Sequence, residues 1–325
     1  MKDSVWMAVS VLVLLGVLFG SYHVRQSLKT SPWVDKTLFD RGMDMPVIWL
    51  YFDDSQVNSR HWLDFQARSS RAINKPFLNL CYESIVRANG KFYRVEVISG
   101  LAGLRERLGM EALPAKLAGE QGALMTVGPA EKNWIRAAIL AKFGGLWLEP
   151  DTIAIRGFGE LPKDKVVFFG TDMDESFAGP SGTTAPGFHA VWSPGPNHPL
   201  FQEWELAARE RLSGAAGGGA QVRGDAKWDY VRFFQGRSDA EVRPEAELRR
   251  KGKNGRLIQL EDLLATSEGK HDLPFSIPST SVYVPLPTRD LERRKNWGWF
   301  LKMSEEQILE SDLVISHLFK MSLSS

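Results

Sequence analysis

The chain has 325 residues, 43% hydrophobic, 24% charged and 11% aromatic, which suits a large buried core and excludes a disordered protein. With 40 basic against 39 acidic residues the formal charge is +1, so no global field steers the protein onto nucleic acid, and nucleic-acid binding is disfavoured. The single cysteine, Cys81, excludes an internal disulfide and fits no zinc pattern, while leaving the redox compartment open.

Residues 1–4 are a short tail before an uncharged apolar run, Val5 to Tyr22, with Lys2 and Asp3 in front and Arg25 and Lys29 behind. At ~1.5 Å per residue the run reaches about 27 Å, enough for a thin bilayer. A cleaved signal peptide is the alternative, but Gly20-Ser21-Tyr22 is a poor small-residue cleavage site, so 5–22 reads as a retained membrane anchor. Flanking charge does not fix its orientation. Residues 23–45 form a polar stem, and 46–325 hold the globular domain.

Within that domain "PVIWLYF" (Pro46 to Phe52) suits a buried first strand, and the spacing of Trp62, Phe65 and Ala72 predicts a helix over Ser59 to Ile73. "PFLNLCY" reads as a further strand, "FYRVEVI" (Phe92 to Ile98) as another, and 101–119 as helix. That alternation predicts an α/β sheet with crossover helices. "GPAEKNWIRAAILAKFGG" is a well-marked helix, with Pro129 and Glu131 at its start, Ile135, Ile139 and Leu140 for the core, and Gly144 as its stop. "KVVFFGTD" (Lys165 to Asp172) predicts a strand, "ESFAGPSGTTAPG" a turn-rich loop, "HPLFQEWELAARERL" an amphipathic helix and "GAAGGGA" (Gly214 to Ala220) a flexible link.

The chemistry concentrates in "AKFGGLWLEPDTIAI". Pro150 cannot donate to a sheet ladder, so Glu149-Pro150-Asp151 closes a strand with two acids one residue apart. Asn133 and Arg136, three apart, share one face of the preceding helix, and Ile135 and Ile139 point elsewhere. The Gly144-Gly145 turn folds all four polar groups toward the carboxyl end of a strand, where open α/β sheets bind ligands.

The stretch N-W-I-R-A-A-I-L-A-K-F-G-G-L-W-L-E-P-D resembles the glycosyltransferases with a DXD sugar-binding region, a group that includes Och1-type mannosyltransferases, α1,4-galactosyltransferases and capsular polysaccharide synthesis proteins. Their pattern is D-x-x-R, an apolar helix, then G-G-[IVL]-[YW]-[LS]-D-x-D. Here Asn133 stands for the first Asp and Glu149 for the first acid of the motif. "PVIWLYF", "HPLFQEW" and "ISHLFKMSL" echo the family's first strand, post-loop helix and C-terminal H-H-W-x-x-S-W segment.

The resemblance implies a GT-A-like nucleotide-sugar fold, a Rossmann-like mixed sheet flanked by helices behind the transmembrane anchor. It implies a metal-dependent transferase moving sugar, with retention, from a nucleotide-sugar donor to a glycan or glycolipid, and a type II single-pass place in the Golgi or ER if the source is eukaryotic. Glu149 and Asp151 are then the catalytic acids, with Glu149 on ribose or sugar hydroxyls and Asp151 holding Mn²⁺ or Mg²⁺, because an oxygen-ligated divalent cation stabilises a departing diphosphate. His317 joins as a second metal ligand, and Asn133, Arg136, Gly145, Trp49 and Ser322 line the donor side. Three alternatives stand beside this. Asp172 and Asp174 form a literal D-x-D that lacks the helix and double glycine and reads as an acceptor-side loop or a solvated turn. Asp53 and Asp54 follow the first strand as solvated acids or nucleotide contacts, while Trp49 or Tyr51 stacks on the base or fills the core. The whole chain is alternatively a degenerate sugar- or partner-binding member, or a metal-dependent phosphohydrolase.

Overall fold

The computed structural model describes residues 45–53, 75–118, 127–170, 188–213, 237–248, 257–267, 273–288, 291 and 295–324. The chain divides into Met1–Met45 and Pro46–Ser325, and the elements below belong to the second unit. The apolar run 5–22, the stem to residue 44, the helix expected over 59–73, Asp54, Asp172 and Asp174 lie outside the described residues. Among the described residues no helix is long and apolar enough to cross a membrane.

Strands β1 (Val47–Phe52), β2 (Arg94–Ser99), β3 (Gly145–Leu148), β5 (Val166–Gly170), β6 (Phe188–Ser193) and β7 (Ala240–Arg243) form a mixed sheet in the order β2-β1-β3-β6-β5-β7. β1 runs parallel to both β2 and β3, β6 is antiparallel to β3 and β5, and β7 is parallel to β5. A two-stranded sheet of β4 (Thr152–Ala154) and β8 (Tyr283–Pro285) lies beside it.

Alternation along each strand divides the core. Trp49, Tyr51, Trp147, Phe168 and Val191 face one layer with α2 (Gly100–Leu108), the short α3 (Ala115–Ala118), α4 (Pro129–Phe143) and α5 (Pro199–Leu212). Ile48, Leu50, Leu146, Leu148, Val167 and Phe169 face the other, toward Ile85 of α1 (Phe77–Asn89) and Tyr283 of β8. Beyond them α1 and β4 pack with α6 (Leu260–Leu263), α7 (Glu305–Glu310) and α8 (Val314–Ser324) in a further cluster.

The α/β class and β1, β5, α4 and α5 agree with the sequence. Three elements differ. "PFLNLCY" is the first half of helix α1, whose buried Phe77, Leu78, Leu80, Cys81, Ser84 and Ile85 form a helical stripe that continues past Tyr82. A short apolar run fits a buried strand or a helix equally well, and only its continuation decides. The helix expected over 101–119 stops at Leu108, because Gly109 takes φ 89° and Pro114 follows before α3. Strand β6, central in the sheet, is not among the predicted strands, and the stretch before it, expected to be a turn-rich loop, lies outside the described residues.

The double glycine has two separate steric reasons. Gly144, at φ 66°, lies against Gly195, where an added Cβ would come within 2.6 Å of the backbone carbonyl carbon. Gly145, at φ 91°, brings β3 against β1, and a Cβ there would sit 2.5 Å from the Val47 carbonyl oxygen. Trp49 Nε1 closes the corner by donating to the Gly144 carbonyl at 2.9 Å. Gly145→Ala is therefore expected to cost roughly 3–5 kcal/mol, beyond the ~1–2 kcal/mol of a left-handed residue alone. Gly159→Ala, at φ 66° with nothing within 4 Å of the new methyl, should show only the smaller cost. Urea unfolding of both variants checks this, and equal losses would show that backbone conformation, not the approach of Val47, decides.

Candidate functional site

Helix α4 ends at Gly144 and the chain doubles back as β3, so the start of the helix returns to the far end of the strand. There Glu149 is buried, its backbone N–H donating to the His189 carbonyl of β6 at 2.9 Å. Its Oε1 accepts from Arg136 Nη2 at 2.8 Å and from Trp147 Nε1 at 2.9 Å, and its Oε2 pairs with Lys132 Nζ at 2.5 Å. Arg136 also lies over the Trp147 ring, 5.8 Å from its centroid.

Pro150 then separates the acids. The chain leaves the large sheet, and the Asp151 carbonyl accepts from the Leu286 N–H at 2.8 Å as β4 joins β8. Asp151 is half-buried, and its charge reaches Cys81 of α1, whose thiol burial and then this carboxylate push well above its ordinary range. Glu149 thus lies under α4 and Asp151 toward α1, the divergence that Pro150 at a strand end suggests.

Burial pushes the Glu149 carboxyl upward and is the largest single influence on it. The charges of Lys132 and Arg136, with hydrogen bonds from Lys132 and Trp147, together outweigh burial and hold it down at about 2, against an ordinary 4.5. Two cations on one carboxylate explain how a charge survives inside the protein.

Of the residues expected at the site, the structure gathers Arg136, Glu149 and, through α4, Asn133. The structure corrects four expectations. The face that Arg136 shares with Asn133 is not separate from the core: Arg136 is 6% exposed, as is Glu149, because helices α2 and α5 and the end of β3 bury α4 on several sides. Glu149 is not open to sugar hydroxyls, since both its oxygens are engaged within the protein. Trp49 is 3% exposed core, spending its N–H on Gly144, so it is not a base-stacking ring. Gly145 serves the β1–β3 approach, where any side chain would collide, rather than a donor contact.

At the C-terminus, Ser322 is buried in α8 and donates to the Phe319 carbonyl at 2.9 Å, which removes it from the donor side. His317 Nε2 lies 3.0 Å from Ser267 Oγ and 3.1 Å from Asp312 Oδ1, while the Ser267 hydroxyl donates to Asp312. This knot ties α8 to the turn after α6, and α8 packs on α1 and β4, the side on which Asp151 lies. Among the described residues no group of three His, Cys, Asp or Glu side chains could hold a metal ion.

Lys132 and Trp147 were missed by sequence reasoning. The signal for Lys132 was present: it stands four residues before Arg136, on the same helical face, and a strand-end acid needed a counter-charge.

No described protein family matches the sequence, and no curated protein matches it. Among solved structures the chain is similar to one named PaToxG Glycosyltransferase, with a TM-score of 0.28 and 13% identity over 61% of this chain and 74% of that one.

Protonation of Glu149 gives a testable sign. Its carboxyl is depressed by folding, so the stability it contributes is full above about pH 4.5 and is lost as pH falls toward about 2. The contribution is on the order of 3 kcal/mol. Urea unfolding of the wild type and Glu149→Gln should differ most at neutral pH and converge between about pH 4.5 and 2. A gap that stays constant across that range would show that the charge is not what holds the site.

Proposed function

We propose that the chain is a glycosyltransferase that takes its sugar from a nucleotide-sugar donor and passes it to a glycan or glycolipid hydroxyl, with retention of configuration. One observation carries the reading. The helix, double-glycine turn and strand that resemble the DXD sugar-binding region bring the start of α4 and the acid pair together at the carboxyl ends of the parallel strands β1 and β3, with Arg136 drawn onto Glu149. That end of an open α/β sheet is where such folds take their ligands.

In this reading Glu149 holds Arg136 and Lys132 in place rather than touching sugar. Asp151, whose carboxylate has no ion-pair or hydrogen-bond partner among the described residues, accepts hydrogen bonds from the donor sugar. A Mn²⁺ or Mg²⁺ ion on Asp151, which the resemblance implies, would need its other ligands from outside the described residues, where Asp172 and Asp174 lie. No step here depends on it. Residues 5–22 anchor the enzyme, placing 31–325 on the lumenal side of a secretory membrane if the source is eukaryotic.

The internal engagement of Glu149 favours one second reading, a member that binds a sugar nucleotide or partner without turnover. Release of free sugar from a panel of UDP- and GDP-sugars by the full-length protein, with Mn²⁺ and with EDTA, separates the two. The transferase hydrolyses one donor slowly in the absence of acceptor, and Asp151→Asn lowers that rate by roughly 10-fold or more, the loss of one charge-assisted hydrogen bond, with unfolding unchanged. Nucleotide binding without release from any donor would overturn the transferase in favour of the second reading.

A further inference from the structure

The glycosyltransferases this chain resembles neutralise a departing diphosphate with a divalent ion, and among the described residues no group of three His, Cys, Asp or Glu side chains could hold one. A cation would find no place at Glu149. Its Oε2 is paired with Lys132 at 2.5 Å and its Oε1 takes Arg136 and Trp147 at 2.8 and 2.9 Å, so the ion would have to displace a lysine and then sit beside an arginine. The two cations are not equivalent. Arg136 is sealed, with its side chain 8% exposed, whereas the Lys132 side chain is 33% exposed at the rim. An ammonium group carries three N–H donors, and Glu149 Oε2 occupies one of them. Among the described residues neither neighbouring acid pairs with Lys132: Glu131 places its carboxylate by Gly128, and Asp151 lies toward α1 beyond Pro150.

We propose that Lys132, held in position by Glu149, receives the diphosphate of the nucleotide in place of a divalent ion, so that this site binds a nucleoside diphosphate without metal. This rests on the sugar-nucleotide reading above and names how that site handles its anion. Glu149 then acts as a positioning residue: it fixes the lysine without touching ligand. Arg136 supports the same carboxylate from the buried side.

Calorimetric titration of inorganic pyrophosphate and of UDP into the full-length protein tests this in EDTA and in Mn²⁺. The wild type binds both in EDTA, and Mn²⁺ changes the affinity by less than roughly 3-fold. Lys132→Met, which keeps the stem and leaves Glu149 its bonds from Arg136 and Trp147, weakens binding roughly 10- to 100-fold, and Lys132→Arg restores most of it. Circular dichroism of each variant reports folding separately. No binding without Mn²⁺, no binding under either condition, or binding in EDTA that a folded Lys132→Met variant leaves unchanged would each overturn the proposal. The outcomes separate it from the functional reading: Lys132-dependent binding in EDTA without turnover of any sugar nucleotide keeps the diphosphate site and removes the transferase. Turnover that needs Mn²⁺ does the reverse.

Discussion

A carboxylate buried at the end of a strand loses the water that stabilised its charge, a cost of several kcal/mol that only close counter-charges and hydrogen bonds offset. Glu149 is in that position. Lys132 and Arg136 from α4, and Trp147 from its own strand, supply the compensation, and in doing so they fasten the start of the helix to the end of β3. At the opposite end of β3 the turn carries two glycines, because Gly144 lies against Gly195 and Gly145 against the Val47 carbonyl. The chain must also leave the large sheet immediately after the acid, so it carries a proline.

Much of this unit was legible because its signals are local and steric. Pro129 at the helix start, Gly144 at its stop and Pro150 at the strand end act through backbone geometry that any fold must respect. The strands β1 and β5 were legible because a continuous apolar run of five or six residues between turns is what a strand buried on both faces requires. Helix α1 was not, because "PFLNLCY" carries an apolar density that either period accommodates, and the residues that settle it come later in the sequence.

The site was legible in membership more than in role. Spacing placed Arg136 and Glu149 together, but it could not show that α4 is buried on several sides, which turns a ligand-facing arginine into half of a buried ion pair. Trp49 followed the same rule: an aromatic at the edge of a nucleotide crevice and an aromatic under a helix look alike in sequence, and a single donated hydrogen bond to Gly144 distinguishes them. Lys132 stood in view at helical spacing and was passed over because lysines on helices usually face water. The matching of a strand-end acid with two cations is a tertiary fact that helical spacing alone does not display.

The central claim is that Arg136 and Glu149 act as one energetic unit, and a double-mutant cycle on unfolding free energy measures it. Arg136→Met and Glu149→Leu should each cost roughly 3 kcal/mol or more, since each leaves a buried charge short of a partner, and the double variant should recover at least ~2 kcal/mol of their sum. Additivity within ~0.5 kcal/mol would contradict the account, because it would mean that the two side chains lie together without holding one another.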